Sequence, residues 1–362
     1  MTATKITANH LVWAGPKALF FLRAWLSTHA PKQVLFVTDT NTHRDCLPLL
    51  QPYWDHLPDL PDFSDVPVVI LDAGEPNKNL EACVRIWEVL TRESFGRDGL
   101  LINVGGGMVG DIGGFAAATY KRGIRFLQIP TSLLAMVDAS VGGKTGVNFQ
   151  HFKNQIGAFY EPELVIADPI FLQTLPAREI RSGYAEMLKH SLIADAESWT
   201  QLSALPGLPA AWDAHLPRSI AIKAAIVIED PREHGPRKAL NFGHTVGHAL
   251  ESHLLELGPD RRMLHGEAVA AGMICEAWLS LRHGLLSQTE YDSISTCILR
   301  IFGRHTLQAK ELPEIAHLAT QDKKNVDGQI MCTLLDGIGN FRVNVTITTE
   351  DILLSLQHYS NL

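Results

Sequence analysis

One stretch, Leu100 to Asn154, constrains the fold more than any other: LLINVGGGMVGDIGGFAAATYKRGIRFLQIPTSLLAMVDASVGGKTGVNFQHFKN. Two apolar runs, Leu100–Val104 and Ile124–Ile129, read as strands buried on both faces, the pattern of a parallel sheet. The first ends in Gly105-Gly106-Gly107 and the second in Pro130-Thr131-Ser132. A further cluster, Gly142-Gly143-Lys144-Thr145-Gly146, follows. In open α/β sheets, ligands gather beyond the carboxyl ends of the strands. Glycine there lets the backbone approach a ligand closely, and the free N–H groups of a helix start suit a phosphate. Gly105, Gly107 and Gly110 fit the spacing G-x-G-x-x-G, whereas GGKT is no P-loop, because the position five before Gly143 is not glycine. For either cluster alone a ligand-free tight turn stays open. Two such clusters, each rich in Asp, Lys or Thr, point to a phosphate-bearing ligand.

The flanking chain extends this pattern. Gln33–Val37 reads as a buried strand ending at Thr38-Asp39-Thr40-Asn41, and Val66–Leu71 as another. Asp39 at a strand end fits a ribose contact; a helix cap by Thr40 or Asn41 fits equally well. The proline-rich Pro48–Pro67 reads as a surface excursion. Leu164–Asp168 reads as the last strand of the sheet, and helical periodicity runs from Phe171–Pro176 to the C-terminus. The expected fold is an N-terminal Rossmann-like α/β nucleotide-binding domain, residues 1–175, followed by a mostly α-helical metal- and substrate-binding domain, residues 176–362. A cleft between them is the expected ligand site.

Composition narrows the function classes. With 46% hydrophobic residues the chain can fill two cores, and 31 basic against 39 acidic residues argue against a nucleic-acid surface. The five cysteines (Cys46, Cys83, Cys275, Cys297, Cys332) form no C-x-x-C pair, which fits a reduced compartment. The N-terminus MTATKITANH has no apolar signal core, and no run reaches membrane-spanning length. The expectation is a soluble, cytoplasmic protein without nucleic-acid or membrane partners.

The helical half holds a second set of chemical groups. Glu186, Lys189 and His190 in GYAEMLKHSLI share one helix face. His244 and His248 in GHTVGHALE stand four apart, and His265 and Glu267 lie in LHGEAVAAG. Two histidines at i and i+4 can bind one metal from a single helix face. An H-x-x-x-H pair with a purely structural role is the competing reading. From the residues alone, a metal here would take His244 and His248.

These motifs, GGGMVGDIGGF, YKRGI, QIPTSLLAMVDASVGGKTGVN, KNQIGAFYEP, LPAREIRSGYAEMLKH, LNFGHTVGHALES and LHGEAVAAGM, are together similar to the 3-dehydroquinate synthase family of sugar-phosphate cyclases. The resemblance runs from about Asp72 onwards. It implies NAD, a divalent metal (usually zinc, with cobalt as the alternative), a small phosphorylated substrate and a homodimer. It assigns the metal to Glu186, His244 and His265, and gives His248 to acid–base chemistry with Glu233 and Lys189. It places Arg122, Asp138, Lys144, Asn154, Lys223, Arg237, Asn241 and Lys324 (with Lys323 beside it) on the substrate. Matching the NAD side are Asp39, Asn41, Glu75, Lys78, Gly105, Gly106, Gly107, Asp111, Thr131, Ser132, Lys153 and Phe171-Leu172-Gln173-Thr174. Two positions depart from the family pattern: Ser132 stands for the usual threonine, and Phe152 stands for a glycine before Lys153-Asn154.

The implied reaction converts a seven-carbon keto sugar-acid phosphate into a carbocycle. It proceeds by transient oxidation by NAD, phosphate elimination, re-reduction, ring opening and aldol closure. Three other readings stay open: a cyclase for glucose 6-phosphate or sedoheptulose 7-phosphate, a metal-dependent polyol dehydrogenase, and a non-catalytic binding protein. The retained GGKTG glycines and Asp111 favour the dehydroquinate-forming chemistry, and the complete set Glu186, His244, His265, Lys144 and Arg237 argues for catalysis.

Overall fold

A computed structural model describes residues 3–7, 10–57, 59–150, 152–321 and 329–362. The chain opens with β1 (Thr4–Thr7), β2 (Leu11–Ala14), α1 (Phe20–His29), β3 (Val34–Asp39), α2 (Thr40–Asp45), α3 (Gln51–Trp54) and β4 (Val68–Leu71). It continues through α4 (Leu80–Arg92), β5 (Leu100–Gly105), α5 (Gly107–Thr119), β6 (Arg125–Pro130), a hairpin of β7 (Lys144–Phe149) and β8 (Phe152–Phe159), and β9 (Leu164–Ala167). Then come α6 (Ala177–Ala194), α7 (Ala196–Ser203), α8 (His215–Glu229), α9 (His244–Glu256), α10 (His265–Arg282), α11 (Gln288–Phe302) and α12 (Leu312–Leu318). A hairpin of β10 (Ile330–Leu335) and β11 (Phe341–Ile347) precedes α13 (Thr349–Asn361). The chain forms two compact units, Met1–Pro176 with Ala211–Ile228, and Ala177–Ala210 with Glu229–Leu362. This division differs from the expected one in returning the stretch around α8 to the first unit.

The first unit is built on a seven-stranded sheet in the order β1-β2-β9-β6-β5-β3-β4, parallel from β2 to β4. β5 and β9 are buried along their whole length, which their unbroken apolar sequences require. From β3 the chain steps outward to β4, then crosses back to β5 on the other side of β3. The topological switch point therefore lies between β3 and β5, where α/β sheets bind ligands. α4 buries Ala82, Cys83, Ile86 and Leu90 on one face, and Asn79 caps its start. α5 is apolar apart from Asp111 and its last residue, Thr119, and packs tightly. A Cβ at Gly114 would stand 2.5 Å from the Thr145 side chain, and one at Gly113 would overlap Asn103.

One expectation is corrected here. Pro48–Pro67 is not merely a surface excursion, because Leu50, Trp54, Leu57 and Val66 are buried. Pro48 and Pro52 each open a short helical turn. Those turns direct Leu50 and Trp54 inward, where the Trp54 ring lies 5.4 Å from Phe36 and 5.9 Å from Phe63.

The second unit is helical around α9 and α10, which approach at glycines. A Cβ on Gly272 would stand 2.0 Å from the Gly243 carbonyl oxygen, and one on Gly247 would stand 3.0 Å from the Ala268 carbonyl oxygen. The helical periodicity does not reach the C-terminus unbroken, because β10 and β11 pair antiparallel. The signal was the period-two pattern of β11, FRVNVTI, whose polar residues are exposed. The Leu335 N–H donates to Ser280 Oγ at 3.0 Å, tying β10 to α10.

Candidate active site

In the first unit, the carboxyl ends of β3 and β5 carry Asp39 and Gly105-Gly106-Gly107. Gly106 caps α5 and Gly107 begins it, so backbone N–H groups are presented at a helix start. A Cβ at Gly105 would fall 2.5 Å from Val109, which is why only glycine fits. Thr131 donates its N–H to the Gly105 carbonyl at 2.9 Å, and Ser132 Oγ lies 3.4 Å from where a Gly106 Cβ would be. Thr131 and Ser132 therefore stand beside the triglycine turn. Phe171, Leu172 and Gln173 lie in a helical turn capped by Asp168, just before Thr174. The cap of α2 is Asp39 itself, neither Thr40 nor Asn41. Its Oδ1 accepts the N–H groups of Asn41 and Thr42 at 2.9 Å each.

Lys78 is the centre of a network that the sequence left as separate positions. Its Nζ donates to Asp111 Oδ2 at 2.6 Å and to Asn154 Oδ1 at 2.5 Å. Burial opposes the charge on Lys78, yet Asp111 and Glu75 outweigh it and hold its pKa above the ordinary lysine value. Asn148, absent from the sequence expectations, joins the remaining pieces. It donates to Glu75 Oε1 at 2.9 Å, accepts from the Asn154 N–H at 2.9 Å, and gives its own N–H to the Lys78 carbonyl at 2.8 Å. Its place at the end of GGKTGVN was the available signal.

A second cation is also engaged. Lys223 Nζ donates to Asp138 Oδ1 at 2.6 Å and to the Asp138 carbonyl. Lys78 and Lys223 thus have carboxylate partners within the protein, and a count of basic residues overstates the positive charge left for an anionic ligand. Lys144 and Lys153 lie exposed on the β7–β8 hairpin, where Phe152 is 57% exposed. Asn154 takes a left-handed φ of 49°. Arg122 is exposed in the turn after α5, with Lys121 and Arg122 at φ of 49° and 68°. Lys323 and Lys324 lie outside the described residues.

The second unit gathers the metal candidates. Glu186 is fully buried on α6, with the Lys189 ammonium paired with its Oε2. His244 Nε2 lies 3.7 Å and His265 Nε2 3.8 Å from Glu186 Oε1. All three ligand atoms lie within 4.8 Å of one another. Ligands about 2.0–2.1 Å from a tetrahedral ion stand roughly 3.4 Å apart, so the trio fits such a centre with small inward movement. The outer nitrogens are engaged as well. His244 Nδ1 meets the Phe242 carbonyl at 3.1 Å and His265 Nδ1 meets Glu251 Oε2 at 3.2 Å, contacts that orient each ring with its Nε2 towards Glu186. Glu251 was not singled out in the sequence, although it sits two turns beyond His244 on the same helix. The His248 ring lies 5.1 Å from that of His244 and 5.8 Å from that of His265. His265 begins α10, whose entry is held by Glu267. That carboxylate accepts the Leu264 N–H at 2.8 Å and two bonds from Arg178 at 2.7 Å each.

The loop after α8 holds a third group. Asp230 accepts the N–H groups of His234, Gly235 and Arg237 at 3.0, 2.7 and 3.2 Å. Burial opposes its charge, but these three donors bring its pKa below the usual aspartate value. Within the loop, Glu233 is held at a left-handed φ of 63° and its Oε1 accepts from Asn241 at 2.7 Å. Arg237, only 2% exposed, donates to the Pro231 carbonyl at 2.6 Å. Glu233, Arg237 and Asn241 are therefore placed by one loop, with Asp230 as its hub. Its position in the run EDPREHG gave no sign of that role.

The chain matches the families described as 3-dehydroquinate synthase N-terminal, over residues 68–182, and 3-dehydroquinate synthase C-terminal, over residues 183–325. It is 42% identical over 351 residues to a 3-dehydroquinate synthase of Parabacteroides distasonis, covering 93% of this chain and 94% of that one. Among solved structures it is similar to a 2-epi-5-epi-valiolone synthase of Streptomyces hygroscopicus with NAD+ and Zn2+ bound. That likeness has a TM-score of 0.83 and 28% identity, covering 100% of this chain and 99% of the other. Its fold is also that of a 2-deoxy-scyllo-inosose synthase complexed with carbaglucose-6-phosphate, NAD+ and Co2+, with a TM-score of 0.81, 24% identity and 99% of each chain covered. A parallel sheet with a triglycine turn at its switch point, a buried carboxylate with two imidazoles, and these matches over most of the length agree: the chain belongs to the 3-dehydroquinate synthase family.

Proposed function

We propose that the protein is an NAD- and metal-dependent lyase that converts 3-deoxy-D-arabino-heptulosonate 7-phosphate to 3-dehydroquinate and phosphate, a step of the shikimate pathway to aromatic amino acids. The observation that supports this reading is the Glu186–His244–His265 trio, whose ligand atoms lie within 4.8 Å of one another in a chain of this family. When bound, NAD supplies a transient hydride acceptor and a divalent metal, zinc or cobalt, lowers the pKa of the substrate hydroxyl it holds. Glu186, His244 and His265 hold the metal. His248, Glu233 and Lys189 handle protons, each beside a site group: His248 by the metal histidines, Glu233 on Asn241, Lys189 on Glu186. Arg122, Lys144, Lys223 and Arg237 meet phosphate and carboxylate, with Asp138, Asn154 and Asn241 taking hydroxyls. The triglycine turn, Asp39, Asn41, Glu75, Lys78, Asp111, Thr131, Ser132, Lys153 and Phe171 to Thr174 hold the dinucleotide.

The test follows inorganic phosphate and the absorbance of NADH with the seven-carbon substrate. One equivalent of phosphate per substrate is expected, with NAD needed only in catalytic amounts and no NADH accumulating. Stoichiometric NADH with the phosphate still on the product would make the protein a dehydrogenase.

The assembly we infer is a homodimer in which Arg122 reaches the neighbouring subunit's site. Supporting this, Arg122 is exposed yet rigidly presented, since Lys121 Nζ bonds the Phe95 carbonyl and the Gly123 N–H bonds the Tyr120 carbonyl at 2.9 Å. Mixing inactive Arg122→Ala with inactive Lys144→Ala protein is expected to restore part of the activity through hybrid dimers. No recovery after verified subunit exchange would count against a shared site. No helix among the described residues is long and apolar enough to cross a membrane. A cytoplasmic setting is favoured by the five buried cysteine thiols; recovery of the protein in a membrane or extracellular fraction would contradict it.

A further inference from the structure

α9 begins at the pivotal residue of the metal trio, and it begins without a cap of its own. Its N-cap is Gly243, at φ +80°, with no side chain to bond the open N–H groups of the first turn. No larger residue could stand there: a Cβ would lie 2.5 Å from Met273 Cγ and 2.9 Å from the Val269 carbonyl oxygen. The missing acceptor comes from the neighbouring helix. Glu276 of α10, 0% exposed, accepts the Gly243 N–H on Oε2 at 2.6 Å and the Val246 N–H on Oε1 at 3.0 Å. One remote carboxylate thus does what a capping side chain normally does from its own helix.

A fully buried carboxylate is costly unless its oxygens find donors. Charge-assisted bonds at a helix N-terminus are among the best available, because the helix dipole favours an anion there. The consequence falls on His244, the first residue of the helix, and on His248 one turn later. With both carboxylate oxygens engaged, the start of α9 is held against α10. That holds the His244 ring where its Nε2 faces Glu186 Oε1 at 3.7 Å. The sequence signal was faint: a single acidic residue in the apolar run AVAAGMICEAWLSL.

We propose that Glu276, which touches neither metal nor substrate, is the positioning residue that caps α9 from α10 and thereby presents His244 to the metal and His248 to the substrate. This rests on the reading of Glu186, His244 and His265 as metal ligands. Glu276→Gln keeps the shape but accepts only one of the two N–H groups and carries no charge. Zinc affinity is measured on the full chain by competition with a chromophoric chelator. Amide hydrogen exchange of the metal-free protein is followed over the peptide around Gly243–His248. Glu276→Gln is expected to bind zinc about tenfold more weakly or worse, the range for residues that orient a ligand. It should exchange faster at the start of α9 and lose more in kcat than in KM. Cys275→Ala, also on α10 and buried against the Ser355 carbonyl, is the control. It should lower Tm while leaving zinc affinity and the α9 exchange as in the wild type.

Wild-type affinity and exchange in a folded Glu276→Gln variant overturn the proposal. So does an equal loss in Cys275→Ala, which would make the effect one of general stability. A wild type that binds no zinc, or a His244→Ala variant that binds it fully, overturns the metal reading and the proposal with it.

Discussion

His265→Ala is expected to abolish both activity and tightly bound zinc while leaving the protein folded. Its imidazole supplies one of two neutral donors 3.7–3.8 Å from Glu186 Oε1, so its loss leaves a carboxylate and one histidine. Two ligands do not hold zinc against water and buffer, and affinity should fall by roughly 100-fold or more, beyond the cost of losing an orienting partner. The side chain is 29% exposed, at the edge of the packed helices, so truncation opens no closed cavity in the core. In the wild type, added zinc should raise Tm by mass action on the native state. That response should vanish in the variant. The measurements are zinc content after gel filtration and Tm with and without zinc. Full occupancy in His265→Ala would remove it from the ligand set.

Gly266→Ala tests the same centre without removing any donor atom. A Cβ at Gly266 would lie 1.9 Å from the Ser182 carbonyl oxygen and 2.5 Å from its carbonyl carbon. Both are backbone atoms of α6, one turn before Glu186, and the Gly266 N–H already donates to Ser182 Oγ at 3.0 Å. No rotamer change relieves such a clash, so α10 must move away from α6. Overpacking of this kind costs about 1–3 kcal/mol, occasionally more, which outweighs the roughly 1 kcal/mol by which alanine favours a helix interior over glycine. The movement carries His265 away from Glu186. Gly266→Ala should therefore lower Tm by several degrees and weaken zinc binding with every ligand present. Gly207→Ala is the matched control, since nothing lies within 4 Å of the position its Cβ would take. Unchanged Tm and zinc affinity in Gly266→Ala would show that the α6–α10 contact does not set the metal geometry.

Much of the N-terminal architecture was legible because its signals are local. The buried runs Leu100–Val104 and Leu164–Ala167 have no polar face and so belong inside a parallel sheet, as β5 and β9 do. Gly105-Gly106-Gly107 marked a strand end entering a helix, which is where it stands. The β10–β11 hairpin was missed because short strands embedded in a helical context leave only a period-two pattern, and the buried turns around Leu50 and Trp54 were hidden by prolines that also suit loops.

Residue type and spacing along one element, by themselves, determined the sheet strands, the triglycine turn and the helix face of Glu186 and Lys189. They left His244 and His248 as the natural metal pair, since i and i+4 neighbours are all that a single helix exposes to inspection. Only the tertiary structure brought His265, from a third helix, to within 3.8 Å of Glu186 and set Glu251 behind it. It alone decided that Lys223 pairs with Asp138, that Asn148 binds Glu75 to Asn154, and that Asp230 and Glu276 hold loop and helix starts in place. These partners stand from 4 to 85 positions apart in sequence. A hydrogen bond depends on separations of about 3 Å in space, which residue order does not encode until the helices and strands are packed.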